Sequence, residues 1–484
     1  MIKRALPVIL LLTSGFAAGS DNSTSGLGKP GSPQTPAPAE VQAPDSKLKK
    51  AIELTRGLQS LERVVVAAQA KKDYPTMVTA LERMHALYPY NGEIMLRLVS
   101  AYALTDEKRK AFEMLYLMQR QGLAADLEHT PNLDALKKFG LFPYLSKLMA
   151  EAKNPFGKAD SIFTIGDPNL LATAVLKDPK RDRFLVGSAR RGLIYAVMPP
   201  NRVSILADAQ HTDGLWSVMD LALDSQRDVL WVASAAIPFY LGYGRDNVGH
   251  TALLKLDANT GKLLQRYNIP AIGKSHRLSN LALAGDGSVF ATDQSAPGVY
   301  RLAPGRDTLE RIFEDDRLTS LRGLALGKDD KVLYIADQAA GLIALDLPTG
   351  QPKIVAAKDT TNLGAIESLR YYDGALIGLQ PLMHPARLMR FVLNSDGSAI
   401  TSASPLAANL PEFAAPLRFS LNGDHYLMVA NSHFTDVLPN GQANPNKSLR
   451  AVSVISGALK PPLSSAEAEI RKKISAGGQP KTSQ

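Results

Sequence analysis

Between residues 183 and 431 one short pattern occurs six times: an apolar or aromatic strand that ends on a small or polar residue. The copies are RFLVGS (183–188), VLWVAS (229–234), VFATD (289–293), VLYIAD (332–337), ALIGLQ (375–380) and HYLMVAN (425–431). They end on Ser188, Ser234, Asp293, Asp337, Gln380 and Asn431, in steps of 46, 59, 44, 43 and 51 residues. A second apolar strand follows most copies, for example GLIYAV (192–197) and GLIALDL (341–347), and turns such as Asn259-Thr260-Gly261 lead into a further one. Upstream of each copy lies another strand, such as LALAGDG or LALGKDD. A four-stranded meander repeated every 40–60 residues is the mark of a β-propeller. Each small sheet has two apolar faces, and only its neighbours around a ring cover both. A sandwich would not require six similar units. The expectation is a mainly β chain whose residues 156–460 form a six-bladed propeller, with SIFTI (161–165) completing the last blade and closing the ring.

Before the propeller the period changes. From Lys47 to about residue 155, Pro and Gly become sparse and apolar residues take helical spacing. Ala80, Leu81, Met84 and Leu87 recur 31 residues later as Ala111, Phe112, Leu115 and Met118, with the apolar stretch EIMLRLVSAYAL between them. This resembles a tetratricopeptide repeat, although its unit is about 34 residues and solenoids need about three. An all-α module is expected, either offering a peptide groove or packing as a cap on the propeller, with packing the simpler role.

The first 20 residues carry Lys3 and Arg4, an apolar run from Ala5 to Leu12, and small residues at 17–20. That is the grammar of a secretory signal peptide, too short for a membrane anchor. Residues 21–46 are rich in Pro, Ser and Gly and read as a disordered linker, and residues 461–484 as a flexible tail. The expected location is periplasmic or secreted, with no transmembrane segment after cleavage. The chain has no Cys, which excludes disulfide scaffolds, thiolate metal sites, cysteine nucleophiles and a lipidated Cys anchor. Of the net charge of +9, residues 47–155 carry 17 − 12 = +5, whereas residues 156–460 carry only +2. With no cationic stripe on the largest segment, nucleic acid is not an expected partner.

The strings LALAGDGSVFATD, GLALGKDDKVLYIADQAAGLIALDLPTG and YDGALIGLQPLMHPARLMRFVLNSDG resemble six-bladed propellers of the gluconolactonase/senescence-marker-protein type and the related NHL-repeat group. That resemblance implies a divalent cation, usually calcium, in the central channel, held by a Glu, an Asn and an Asp and polarising a lactone carbonyl. Placed on this sequence, the Glu falls at Thr173, the Asn at Arg322 and the Asp at Glu367, while a substrate-facing pair falls at Ser279 and Asn280. Glu367 is the one acid kept. An Arg has no lone pair for a metal and stays cationic. The expectation is therefore that Arg322 pairs with Glu367, that no cofactor is bound, and that Arg322 with Asn280 and His276 could hold a carboxylate or phosphate. The sequence leaves two functions open: a non-catalytic exported module binding a protein or a small anionic ligand, or a calcium-dependent lactone or ester hydrolase with a rearranged site. There is no GxSxG, P-loop or dinucleotide fingerprint, and the eight His show no HExxH spacing. The insertion IPFYLGYGRDNVGH (237–250), with Phe239, Tyr240 and Tyr243, reads as a lid, as a partner surface, or as a loop packed on the helical module.

Overall fold

The computed structural model describes residues 46–460 except 168, 201, 270–274, 439 and 443; the signal peptide, nearly all of the linker and the tail expected above lie outside the described residues. The chain opens with α1 (Ser46–Leu54), α2 (Leu58–Ala70), α3 (Tyr74–Leu87), α4 (Gly92–Leu104), α5 (Lys108–Arg120), α6 (Asp134–Lys137) and α7 (Leu141–Glu151). The helix starts are written in the sequence. The Asp73 side chain accepts from Thr76 N at 3.2 Å, and Asn91 accepts from Ile94 N at 3.0 Å. Each satisfies an amide that the first turn leaves without a partner. Helices α2 to α5 pack consecutively, and the small residues Ala80, Ala101 and Ala111 are fully buried where they meet.

Six four-stranded antiparallel sheets follow. The first blade is β2 (Ala172–Asp178), β3 (Arg183–Ser188), β4 (Leu193–Met198) and β5 (Arg202–Asp208); the second is β6 (Ser217–Asp224), β7 (Val229–Ala235), β8 (Thr251–Asp257) and β9 (Leu263–Asn268). The third is β10 (Leu278–Leu283), β11 (Val289–Asp293), β12 (Gly298–Leu302) and β13 (Glu310–Glu314). The fourth is β14 (Leu321–Leu326), β15 (Val332–Asp337), β16 (Gly341–Asp346) and β17 (Pro352–Ile354); the fifth is β18 (Ser368–Tyr372), β19 (Ala375–Gln380), β20 (Arg387–Leu393) and β21 (Ile400–Ala408). The sixth joins β22 (Phe419–Asn422), β23 (His425–Val429) and β24 (Val452–Ala458) to β1 (Asp160–Ile165). The expected six-bladed ring, closed by the strand before the first blade, is what the chain forms. Closure is made by hydrogen bonds between β1 and β24, which join the two ends of the ring in one blade.

Burial peaks in the second strand of each blade and falls off at the outermost one. Strands β3 and β7 are buried throughout, while β17 is exposed throughout. In five of the six blades the recurring residue near the end of the second strand holds the backbone that leads into its own blade. Ser188 bonds Leu170 O, Ser234 accepts from Trp216 N at 2.8 Å, and Asp293 accepts from Arg277 N at 3.0 Å. Asp337 accepts from Thr319 N and Ser320 N, each at 2.9 Å, and Gln380 donates to Asn362 O and Gly364 O at 3.0 and 2.7 Å. Asn431 instead accepts from Ser453 N at 2.6 Å and donates to Ala451 O at 2.8 Å, holding the start of β24.

The helical module sits on the face where the innermost strands begin, against the fourth and fifth blades. Gln121 donates to Asp359 O at 2.8 Å, Asn362 donates to Gln121 Oε1 at 2.8 Å and to Tyr90 O at 3.1 Å, and Ala124 N donates to His384 O at 2.7 Å. Arg387 spans the seam, donating to Gln380 Oε1 at 2.7 Å and Gln121 O at 2.8 Å; burial pulls its pKa down to about 10. A Cβ on Gly364 would stand 2.4 Å from Tyr90 Cβ, so only glycine lets the two parts meet there. The 237–250 insertion does not pack on this module. Leu241 N donates to Arg190 O at 2.9 Å, and Phe239 meets Phe434 edge-on with ring centroids 5.1 Å apart, which ties the insertion to the first and sixth blades.

Candidate functional site

The innermost strands bring their first residues to the ring axis. In four blades the strand breaks register there: between Ala172 and Ala174, Val218 and Asp220, Leu278 and Leu281, and Leu321 and Leu324. A bulge leaves residues without a partner on the next strand and re-aims their side chains. Thr173, Asp220, Ser279, Asn280 and Arg322 all lie at these breaks.

Arg322 Nη1 lies 3.4 Å from Glu367 Oε2. A second guanidinium, not singled out in the sequence, approaches the other oxygen: Arg418 Nη2 is 3.4 Å from Glu367 Oε1, and Arg418 Nη1 donates to Asn280 Oδ1. Arg418 is 3% exposed. A third, Arg277, stands in the field of both. Burial and the nearby Arg322 cation hold its pKa below the ordinary arginine value; Glu367 and Asp293 pull the other way, and Arg418 adds to the repulsion. The Nε atoms of Arg277, Arg322 and Arg418 are all buried without a hydrogen-bond partner among the described residues. One level further along the channel, Arg370 Nη2 lies 3.6 Å from Asp220 Oδ2, which also accepts from Leu281 N at 3.0 Å. Burial lowers the Arg370 pKa and Asp220 opposes that shift.

The structure brings Arg322, Glu367 and Asn280 together, and it adds Arg418, Arg277, Asp220 and Arg370. Their signal in the sequence is an ionisable residue set inside an otherwise apolar innermost strand, as in VMDLAL, SLRYY and PLRFS. The other expected site residues have local tasks. The Thr173 hydroxyl lies 2.8 Å from Val218 O and 3.2 Å from Gly187 O, stitching the first blade to the second. Ser279 Oγ pairs with Thr292 Oγ1 at 3.1 Å. His276 Nδ1 is held 2.5 Å from Asp293, whose other oxygen accepts backbone N–H groups.

Calcium prefers six to eight oxygen ligands. Glu367 here is shared by two guanidiniums, Asn280 Oδ1 is taken by Arg418, and Arg322 has no lone pair to give. Among the described residues no group of three or more His, Asp or Glu is placed to hold a metal ion. The donor set does not fit the cation that the resemblance implied.

No family model matches the chain, and no curated protein matches it. Solved structures similar to it include a gluconolactonase from Xanthomonas campestris, at 16% identity, covering 64% of this chain and 93% of that one, with a TM-score of 0.42. They also include the PQQ-bound aldose sugar dehydrogenase of Streptomyces coelicolor, at 14% identity over 63% of this chain and 99% of that one, TM-score 0.41. Virginiamycin B lyase from Staphylococcus aureus is similar at 12% identity over 56% and 82%, TM-score 0.40. The solved structures like this chain thus include gluconolactonase-type propellers, and the chain is itself a six-bladed propeller.

Proposed function

We propose that this chain is an exported, non-catalytic binding protein whose propeller channel receives a small anion. The observation that carries the reading is that Arg322 and Arg418 share one carboxylate, Glu367, and that these two and the nearby Arg277 each keep a buried Nε without a partner among the described residues. Buried charges are expensive unless paired, and an orphaned buried donor costs about 1–3 kcal/mol or more. An anion with two or three acceptor oxygens relieves both costs, because guanidinium forks match carboxylate and phosphate geometry. Export rests on the three-part leader at residues 1–20. The helical module, in this reading, braces the fourth and fifth blades and leaves its outer helices for a protein partner.

Calorimetric titration with malonate, inorganic phosphate and calcium chloride tests the reading. Malonate or phosphate binds, and Arg418→Met weakens it at least tenfold. Calcium binding with calcium-dependent hydrolysis of a lactone overturns it. Export is checked by the mass of the mature N-terminus after expression of the full chain in a bacterium.

A further inference from the structure

The opposite mouth of the channel, where the innermost strands end, is built differently. It opens into a funnel of about 630 Å³. Its walls are a ring of apolar residues, one from each blade in turn: Leu176, Leu223, Leu283, Leu326, Tyr371 and Leu421. Each of these residues also packs against a core between neighbouring blades, so it lines the funnel with only part of its side chain. Polar residues line the same funnel: Lys177, Ser225, Asp330, Arg370, Ser420 and Asn422. Lys177 is bonded to Asp182, and Asp330 accepts from Gly285 N at 2.7 Å. Arg370 Nη1 is satisfied by Leu369 O at 2.8 Å, but its Nη2 reaches Asp220 only at 3.6 Å. The Ser420 hydroxyl, on the adjoining innermost strand, is buried and has no hydrogen-bond partner among the described residues.

An apolar funnel with a guanidinium and a spare hydroxyl in its lining is complementary to a molecule with an anionic head and an aliphatic body. Its volume is that of ordinary small-ligand sites, about 300–1,000 Å³. We propose that this mouth binds an amphiphilic carboxylate, a medium-length alkyl acid, with its head on Arg370 and Ser420 and its chain against the leucine ring. This site is separate from the Arg322–Glu367–Arg418 cluster, which lies nearer the starts of the innermost strands.

The test is a titration of the full chain with hexanoate, octanoate and decanoate and the matching alcohols. Burying each methylene at the usual hydrophobic increment tightens binding roughly fourfold, so affinity rises by about tenfold or more for every two carbons. Each acid binds at least tenfold tighter than its alcohol. Leu223→Glu, near the end of β6, abolishes binding, and Ser420→Ala weakens the acids while leaving the alcohols unchanged. Equal binding of acid and alcohol, no dependence on chain length, or unaltered binding in Leu223→Glu overturns the proposal. Malonate binding in the Leu223→Glu protein is the separate readout of the other cluster, so either reading can fail without the other.

Discussion

Replacing Glu367 with Gln tests the electrostatic logic of the channel most directly. The carboxylate faces Arg322 and Arg418 at 3.4 Å each, with its side chain 13% exposed. Two unit charges about 4 Å apart interact by about 4 kcal/mol at an effective dielectric constant of 20. Two such contacts sum to roughly 8 kcal/mol gross, offset by the desolvation that a neutral Gln no longer incurs. Breaking a buried pair this way costs about 3–5 kcal/mol net. Arg418→Met works against a different balance. It removes one attraction to Glu367, but it also removes repulsion on Arg277 and Arg370, and Glu367 keeps Arg322. Its expected cost is about 1 kcal/mol, within the usual range for a single substitution. Urea unfolding followed by tryptophan fluorescence reads both variants. The chain has two tryptophans, Trp216 and Trp231, at the start and in the second strand of one blade, so the signal reports the ring. The urea midpoint should fall far more for Glu367→Gln than for Arg418→Met, at unchanged slope. Equal losses, or a silent Glu367→Gln, would show that the guanidiniums are not balanced on this one acid.

Gly364→Ala pushes a methyl into Tyr90 and should cost about 1–3 kcal/mol by overpacking, seen as faster proteolytic cutting between the helical module and the propeller. Asp337→Ala strips four backbone amides, Thr319, Ser320, Ala339 and Ala340, of a charged acceptor; a loss of about 3 kcal/mol or more by urea unfolding is expected, with Asp337→Asn intermediate. Burial raises the Tyr334 pKa to about 12 while its hydroxyl donates to Gly397 O at 2.9 Å. A raised folded-state value means stability is whole below pH 10 and declines between about pH 10 and 12, and Tyr334→Phe should flatten that decline in alkaline melts. Asp257 and Asp346, both held below the usual carboxylate range by Thr260 and Thr349, contribute stability above about pH 4 that is lost as pH falls through their lowered values.

The ring was legible because its repeating unit solves one local problem six times. Each second strand must end on a group that can bond the backbone entering the blade, and the sequence spells that group in a recognisable place from Ser188 to Gln380. The pairing of Arg322 with Glu367 was legible for a related reason: both fall at strand starts that the resemblance places on the axis. Arg418 and Arg370 were not, because their neighbours Leu417, Phe419, Leu369 and Tyr371 make each look like one polar lapse in an apolar strand. Nothing in a linear pattern says that two such lapses from adjacent blades converge. The insertion at 237–250 was misplaced in one of its readings for the same reason. Its aromatic residues signal burial, but which surface buries them depends on Phe434, almost two hundred residues away.

The two ends of the channel differ by the chemistry of a few side chains on the same six strands. At the starts of those strands, bulges turn polar residues to the axis and gather guanidiniums around Glu367. Three or four residues later, about 10 Å along a strand at 3.3 Å per residue, the same strands present Leu176, Leu223, Leu283, Leu326, Tyr371 and Leu421, with Arg370 beside them reaching back to Asp220. Arg370 feels Arg418 as a repelling neighbour, so the ends are not electrically independent. An anion bound among Arg277, Arg322 and Arg418 places a negative charge near the Arg370 mouth and repels a second anion there. A carboxylate held on Arg370 repels the first in the same way. Binding at the two mouths should therefore be mutually weakening: saturating malonate lowers decanoate affinity several-fold, and decanoate lowers malonate affinity by the same factor, as linkage requires.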